Sequence, residues 1–220
     1  MEAAYWHNRW ENDLVGFHLD DVNPYLQKYW PVLDIQPGQQ VLVPLCGKSL
    51  DMLWLAGQGY QVMGVEISPV AVERFFDDNG LVPEKSRDGD FEVWQSGDIR
   101  IYCGDFFALS SEMVCDIDAV YDRASLVALP RDMRQQYADH IQQLFSKGVP
   151  TLLVSLNYDQ NCMQGPPFAV SEDEVQDLYR FRFQHRKLCS CDVLANNDRF
   201  REKGLRELLE SVYLLTPKQG

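Results

Sequence analysis

The sequence predicts an α/β domain built around a parallel sheet. After residue 36, short apolar runs of β type alternate with segments of helical periodicity, which is typical of βαβ units. The 220 residues are 45% hydrophobic and 24% charged, as expected for a globular chain that buries a substantial core. We therefore expect one domain over 1–220, with a helical N-terminal cover over 1–36 and an α/β core over 37–220.

The first βαβ unit begins after a Pro-Gly turn signal. The apolar run 40–44 is predicted to be the first strand, and the apolar face of 49–58 predicts a helix. The run 61–67 is predicted to be the second strand. Ser68 followed by Pro69 has the pattern of a helix N-cap with proline at the first helical position, so a helix is expected to begin there.

The rest of the core continues the alternation. The apolar run 151–157 lacks polar alternation, as expected for a strand that is buried on both faces. Further strands are predicted at 99–103, 117–122, 186–193 and 208–215, helices at 131–145 and 171–179, and a stiff loop at 165–168.

The first 36 residues are rich in aromatic side chains. One interpretation is a pair of amphipathic helices packed on the sheet edge, and the other is a cover over a ligand site. Open α/β sheets bind ligands at the carboxyl ends of their strands, which an N-terminal extension can reach. We favour the cover.

Charge and cysteine content restrict the partners. The formal net charge of −13 opposes binding to nucleic acid or to anionic membranes. The first residues lack the basic start and apolar run of a signal peptide, and the six cysteines include no Cys-x-x-Cys pair. We expect reduced thiols in the cytoplasm, no bound metal and a monomer that acts on a small molecule.

The turn after the first strand is a candidate ligand site, with Leu45 and Gly47 between a strand and a helix. A phosphate-binding P-loop would need glycine where Leu42 stands, and Pro44 removes one of the backbone donors that such a loop uses. A dinucleotide site would need three glycines for its pyrophosphate, and only Gly47 is present.

Glu66 ends the second predicted strand, about 20 residues after that turn. In open α/β folds an acid at this place accepts hydrogen bonds from ribose hydroxyls. A plain salt bridge is the alternative, since a buried charge needs a partner. A ribose-binding acid without a pyrophosphate loop favours a nucleoside ligand, and S-adenosylmethionine fits that description.

Three charged residues follow later strands. Asp105 is placed to reach an adenine edge, but a turn cap is an equally good interpretation. Asp122 and Arg123 end the fourth predicted strand, where such a pair is commonly a salt bridge or a solvated turn. Beside a cofactor site, Arg123 is suited to bind the cofactor carboxylate or an anionic acceptor.

Together these segments resemble the thiopurine S-methyltransferase family, and its bacterial branch by length. The matching segments, in family order, are Trp6-x-x-Arg9-Trp10 with Phe17, 41–49 with Asp51-Met52, 64–69, 104–107, 122–130 and 165–168. The resemblance implies the class I S-adenosylmethionine-dependent methyltransferase fold, which is Rossmann-like, with a mostly parallel seven-stranded sheet and helices on both faces. It also implies that Trp10, Leu45, Glu66 and Arg123 contact the cofactor, and that Phe17 and Arg123 lie near the acceptor.

The resulting hypothesis is methyl transfer from S-adenosylmethionine to the sulfur of an aromatic or heterocyclic thiol such as a thiopurine. Trp10 and Phe17 would exclude water, and Arg123 would favour the thiolate. Asp122 would assist only if the reaction needs a general base. Two alternatives stay open, namely selenium or tellurium species as acceptors and a nucleoside sensor without catalysis.

Overall fold

The computed structural model describes residues 3–16, 18–123, 125–145 and 147–218. The chain divides into two compact units, residues 1–121 and residues 122–220. The single domain expected over 1–220 stays a prediction.

The first unit is built on a sheet whose central strands are parallel. Its strands are β1 (Gln40–Pro44), β2 (Gln61–Glu66), β3 (Glu84–Asp88), β4 (Phe91–Ser96), β5 (Ile99–Cys103) and the first part of β6 (Ile117–Arg123). They lie in the order β3-β4-β5-β2-β1-β6. The pairs β1–β2, β2–β5 and β1–β6 are parallel, which confirms the predicted α/β class.

Helices precede and connect these strands. They are α1 (Ala3–Glu11), α2 (Pro24–Tyr29), α3 (Asp51–Gly57) and α4 (Pro69–Asp78), with short 3-10 turns at Trp30–Leu33 and Phe106–Ala108. The Ser68 hydroxyl accepts a hydrogen bond from the Ala71 amide, and Pro69 is the first helical residue of α4. The predicted N-cap at Ser68 is therefore confirmed.

An antiparallel hairpin, β3 and β4, is not predicted by the sequence analysis. Every residue of β3 is exposed, so the strand lacks the apolar alternation by which a half-buried strand is recognised. The signals that do exist are the two-residue turn Gly89-Asp90, where Gly89 has a φ of +56°, and the buried apolar residues Phe91 and Val93 of β4. With this hairpin, the residues placed by the structure form nine strands, whereas the family resemblance implies seven.

The second unit begins with the last two residues of β6. Its other strands are β7 (Thr151–Asn157), β8 (Phe183–Asp192) and β9 (Leu209–Pro217), and its helices are α5 (Ser125–Ala128), α6 (Arg131–Leu144), α7 (Glu172–Tyr179) and α8 (Asp198–Glu202). Two 3-10 turns lie at Gln160–Cys162 and Leu194–Asn196. Strand β9 lies between β7 and β8 and is antiparallel to both.

Each unit has its own apolar interior. Val41, Val65 and Ile101 are fully buried in the first unit, and Leu152 and Val212 are fully buried in the second. Burial of such side chains is the main favourable contribution to folding. Among the described helices, none has the length and apolar content needed to cross a bilayer.

Candidate functional site

The turn after β1 has an unusual backbone conformation. Leu45 has a φ of +47° and Gly47 a φ of +53°. Positive φ is easy for glycine but costs a branched residue such as leucine about 1–3 kcal/mol. The Cys46 amide donates to the Val65 carbonyl at 2.9 Å, so the neighbouring strand holds the turn. The tight turn predicted at Gly47 is present, and it starts two residues earlier, at Leu45.

Glu66 closes this turn against the start of α4. The carboxylate is 6% exposed; its Oε2 accepts the Gly47 amide at 2.9 Å, and its Oε1 accepts the Ser68 amide at 2.8 Å. Burial raises the pKa of Glu66, and the two amides oppose that rise. Both partners are backbone donors rather than a cationic side chain. Because each carboxylate oxygen has a second lone pair, Glu66 keeps acceptor capacity for hydroxyl donors.

Trp10 of α1 packs on the same turn. The indole is 2% exposed, and a Cβ added to Gly47 would lie 3.1 Å from Trp10 Cζ2. Arg74 of α4 pairs with Asp13 just beyond α1, with an Nη1–Oδ1 distance of 2.9 Å. The N-terminal helix therefore lies directly on the predicted ligand turn. Phe17, the other aromatic residue predicted for the cover, is outside the described residues.

Asp51 anchors the segment before the sheet, a role that the sequence analysis does not predict. This fully buried carboxylate accepts the Asn23 amide at 2.8 Å and the Tyr121 hydroxyl at 2.9 Å. The partners are 28 and 70 residues away in the sequence. At the start of a helix, an aspartate is normally explained by the helix dipole alone, so no local pattern reveals these contacts.

Asp105 follows the third parallel strand of the first unit, β5. Its Oδ1 accepts the Phe107 amide at 3.0 Å and thereby caps the turn at Phe106–Ala108. The Gly104 amide donates to the Glu66 carbonyl at 2.9 Å, which joins the ends of β5 and β2. The cap is the alternative that the sequence analysis kept open, and an adenine contact of Asp105 stays a prediction.

Asp122 lies at the start of the second unit and is 2% exposed. The Tyr137 hydroxyl of α6 donates to its Oδ2 at 2.7 Å. Burial raises the pKa of Asp122 from the usual 3.8 to about 6, and the Tyr137 bond opposes the rise. This bond joins the end of β6 to α6.

The raised pKa of Asp122 predicts a specific pH dependence of stability. The native state binds the Asp122 proton more tightly than the unfolded state, so its contribution is complete below pH 4 and is lost as the pH rises through 6. The loss is about 3 kcal/mol. The uncharged Asp122→Asn variant should lack this pH-dependent contribution to stability. The free energy of unfolding in urea, measured at pH 4 and at pH 7, tests this. The variant should be more stable relative to wild type at pH 7 than at pH 4. An equal change in stability between the two pH values in both proteins would contradict the raised pKa of Asp122.

Arg123 is half-buried at the end of β6. Successive strand residues point to opposite faces, so Arg123 leaves the strand on the face opposite to Asp122. Its charge lowers the pKa of Glu210 on β9, which burial raises. Glu210 is therefore an electrostatic neighbour of Arg123 that the sequence analysis does not predict, because it lies near the other end of the chain.

The structure thus groups the predicted site residues by unit. Trp10, Leu45, Gly47 and Glu66 form one connected cluster in the first unit, and Asp105 follows the neighbouring strand. Asp122 and Arg123 belong to the second unit. The first cluster combines a strained turn with a buried carboxylate that has unused lone pairs, which fits the hydroxyl donors of a nucleoside.

Sequence comparisons find similar proteins over nearly the whole chain. The family model described as thiopurine S-methyltransferase matches residues 1–218. Among curated proteins, the chain is 50% identical over 215 residues to a thiopurine S-methyltransferase of Azotobacter vinelandii, covering 98% of this chain and 99% of that protein. It is 47% identical over 220 residues to a protein of the same name from Pseudomonas fluorescens, covering 100% of this chain and 99% of that protein.

Solved structures give the fold. An S-adenosylmethionine-dependent methyltransferase of Anabaena variabilis superposes with a TM-score of 0.66 at 12% identity, covering 98% of this chain and 95% of that chain. One of Geobacter sulfurreducens, in complex with S-adenosylhomocysteine, superposes with a TM-score of 0.61 at 13% identity, covering 90% and 92%. The predicted methyltransferase fold class is confirmed.

Proposed function

The chain belongs to the thiopurine S-methyltransferase family, and on that premise we propose that it transfers the methyl group of S-adenosylmethionine to the sulfur of aromatic or heterocyclic thiols such as thiopurines. It is an S-adenosylmethionine-dependent enzyme by family and fold. The observation that supports the proposal most directly is the Glu66 carboxylate, which is fixed by the amides of Gly47 and Ser68 at the ends of two adjacent strands.

The cofactor is assigned to the cluster in the first unit. Glu66 would accept the ribose hydroxyls, and the turn with Leu45 and Gly47 would lie along the cofactor. Trp10 would cover that turn and keep water away from it. Asp105 is the proposed contact of the adenine edge, in addition to its bond to the Phe107 amide.

Methyl transfer to a thiolate is a direct displacement, so the protein need not form a covalent intermediate. When bound, S-adenosylmethionine supplies a methyl group on a positively charged sulfur. The chain's task is to align an acceptor sulfur with that methyl group and to exclude water. We assign Arg123 to the acceptor, where its charge would favour the thiolate over the thiol, and also to the cofactor carboxylate. Phe17, as in the family resemblance, is proposed to line the acceptor side.

Asp122 is assigned a supporting role in this scheme. Its carboxylate is buried and engaged by Tyr137, so we propose that it fixes the end of β6 next to Arg123. An aromatic thiol that is already ionised needs no base. The cytoplasmic location and the monomeric state expected from the sequence stay predictions, as does the lack of affinity for membranes and nucleic acid.

The test is transfer of labelled methyl from S-adenosylmethionine to 6-mercaptopurine. We expect one labelled product, methylated on sulfur, with S-adenosylhomocysteine released in equal amount. A panel of selenite, tellurite and aliphatic thiols should accept less label. Cofactor binding without transfer to any acceptor would refute the catalytic proposal and favour a sensing role, and preference for selenium or tellurium would refute the assigned acceptor.

A further inference from the structure

Arg134 is a buried arginine in the first turn of α6, with 4% of its surface exposed. Its Nε donates to the Leu129 carbonyl at 2.9 Å, and its Nη1 donates to the Ala169 carbonyl at 3.1 Å and to Glu174 Oε1 at 2.7 Å. These bonds join three segments of the second unit. They are the chain before α6, the loop 165–169 and the first turn of α7.

The loop 165–169 is held by hydrogen bonds from neighbouring segments and by packing, since the Arg134 guanidinium carbon lies 5.9 Å from the centre of the Phe168 ring and Ala169 packs on a buried apolar cluster. The Phe168 amide donates to the Val127 carbonyl at 2.6 Å. On the other side, the Tyr158 hydroxyl donates to the Pro167 carbonyl at 2.5 Å, and the Ala169 amide donates to Gln160 Oε1 at 2.7 Å. The loop contains the Gly-Pro-Pro-Phe segment, to which the proposed function gives no role. Its position depends on Arg134 and these neighbours rather than on a regular element of its own.

We propose that Arg134 is a positioning residue for methyl transfer, because it fixes the loop 165–169 against residues 125–129. That segment begins two residues after Arg123, so its placement restrains the end of β6 together with the bond between Asp122 and Tyr137. Arg134 acts through the carbonyls of Leu129 and Ala169 and through Glu174. The inference rests on the proposed function, since it concerns the step in which Arg123 holds the acceptor.

The choice of residue supports a positioning role. A buried ion pair commonly adds little net stability, because desolvation offsets the attraction, but its directional bonds can select one arrangement of the chain. The guanidinium group offers several donors in one fixed plane, and the ammonium group of lysine does not. Arginine can therefore donate hydrogen bonds to Leu129, Ala169 and Glu174 at the same time, and lysine is not suited to this arrangement. Alignment of reacting atoms is sensitive, since a displacement of about 1 Å can cost 100-fold in rate.

The experiment compares Arg134→Lys with Gln142→Ala. Gln142 is also buried on α6, where its Nε2 donates to the Ala138 and Leu178 carbonyls, and it contacts neither 125–129 nor the loop through these bonds. Arg134→Lys should lower kcat on the order of 10- to 100-fold, while the Kd for S-adenosylmethionine changes less than about threefold. Hydrogen exchange of the Phe168 and Ala169 amides should accelerate in Arg134→Lys and stay unchanged in Gln142→Ala.

The outcomes separate positioning from plain stability. If both variants lose kcat in proportion to their loss of Tm, or if exchange at Phe168 and Ala169 is unchanged in Arg134→Lys, the inference is wrong. If Arg134→Lys does not fold, Glu174→Ala takes its place in the comparison, because it removes the acceptor of one of the three bonds and keeps the guanidinium. Wild-type protein that fails to methylate any thiol would overturn the proposed function, whereas unchanged amide exchange would overturn the positioning role.

Discussion

Replacing Glu66 by glutamine is expected to weaken S-adenosylmethionine binding by on the order of 100-fold, which corresponds to about 3 kcal/mol. The carboxylate receives the Gly47 and Ser68 amides on its two oxygens. Glutamine has one oxygen, so one buried amide would face an NH2 group and lose its acceptor. The same substitution removes the charged acceptor for the ribose hydroxyls. The turn and the proposed cofactor contact are therefore lost together.

The measurement is calorimetric titration with S-adenosylmethionine, well below the unfolding temperature of each protein. Glu73→Gln is the matched control, because Glu73 is an exposed residue of α4 and its substitution changes the net charge by the same amount. Glu66→Asp tests whether the length of the side chain matters, since it keeps the charge and shortens the side chain. Equal affinity of Glu66→Gln and wild type would show that the cofactor does not use this carboxylate.

Replacing Arg123 by alanine is expected to lower kcat/KM for a thiopurine acceptor by about 10- to 200-fold. This is the effect of losing one charge-assisted hydrogen bond of about 1.5–3 kcal/mol. Arg123→Lys should recover part of the loss, because lysine keeps the charge without the planar pair of donors. If Arg123 favours the thiolate, the defect of the alanine variant should shrink as the pH rises, because the acceptor then ionises without help.

Steady-state kinetics between pH 6 and pH 9 checks this, with Arg206→Ala as the control, since Arg206 is an exposed arginine of the same unit. A separate titration with S-adenosylmethionine distinguishes the two contacts proposed for Arg123, one with the acceptor and one with the cofactor carboxylate. A large change in cofactor affinity in Arg123→Ala would assign Arg123 mainly to the cofactor carboxylate. The pKa of Glu210 should also rise in Arg123→Ala, since Arg123 lowers it in wild type. A pH-independent defect would count against the thiolate role.

Local patterns were sufficient for much of the fold and for the outline of the site. Strand β1 and helix α4 begin where the apolar run 40–44 and the Ser68-Pro69 pair predict. Each of these signals involves residues within a few positions of one another. Glu66 could be singled out because a charge at the end of an apolar strand is costly to bury without a partner.

The hairpin β3–β4 marks one limit of such patterns. A strand is recognised from the sequence by the side chains that it buries, and β3 buries none. Its charged residues are consistent with an exposed edge strand, where charges oppose pairing with another chain. The turn Gly89-Asp90 and the buried Phe91 and Val93 of β4 are real signals, but with no apolar alternation before the turn they do not reveal the strand that pairs with β4.

The partners of the buried polar groups mark the other limit, and only the tertiary structure decides them. Asp51 bonds to Asn23 and Tyr121, and Arg134 bonds to Leu129, Ala169 and Glu174. A buried donor or acceptor must find a partner, but the sequence does not state which of many distant groups it will be. The sequence by itself determined the alternation of strands and helices and the residues that stand at strand ends. Packing chose their neighbours, because the cost of burying a charge is met by whichever group the completed fold brings within hydrogen-bonding distance.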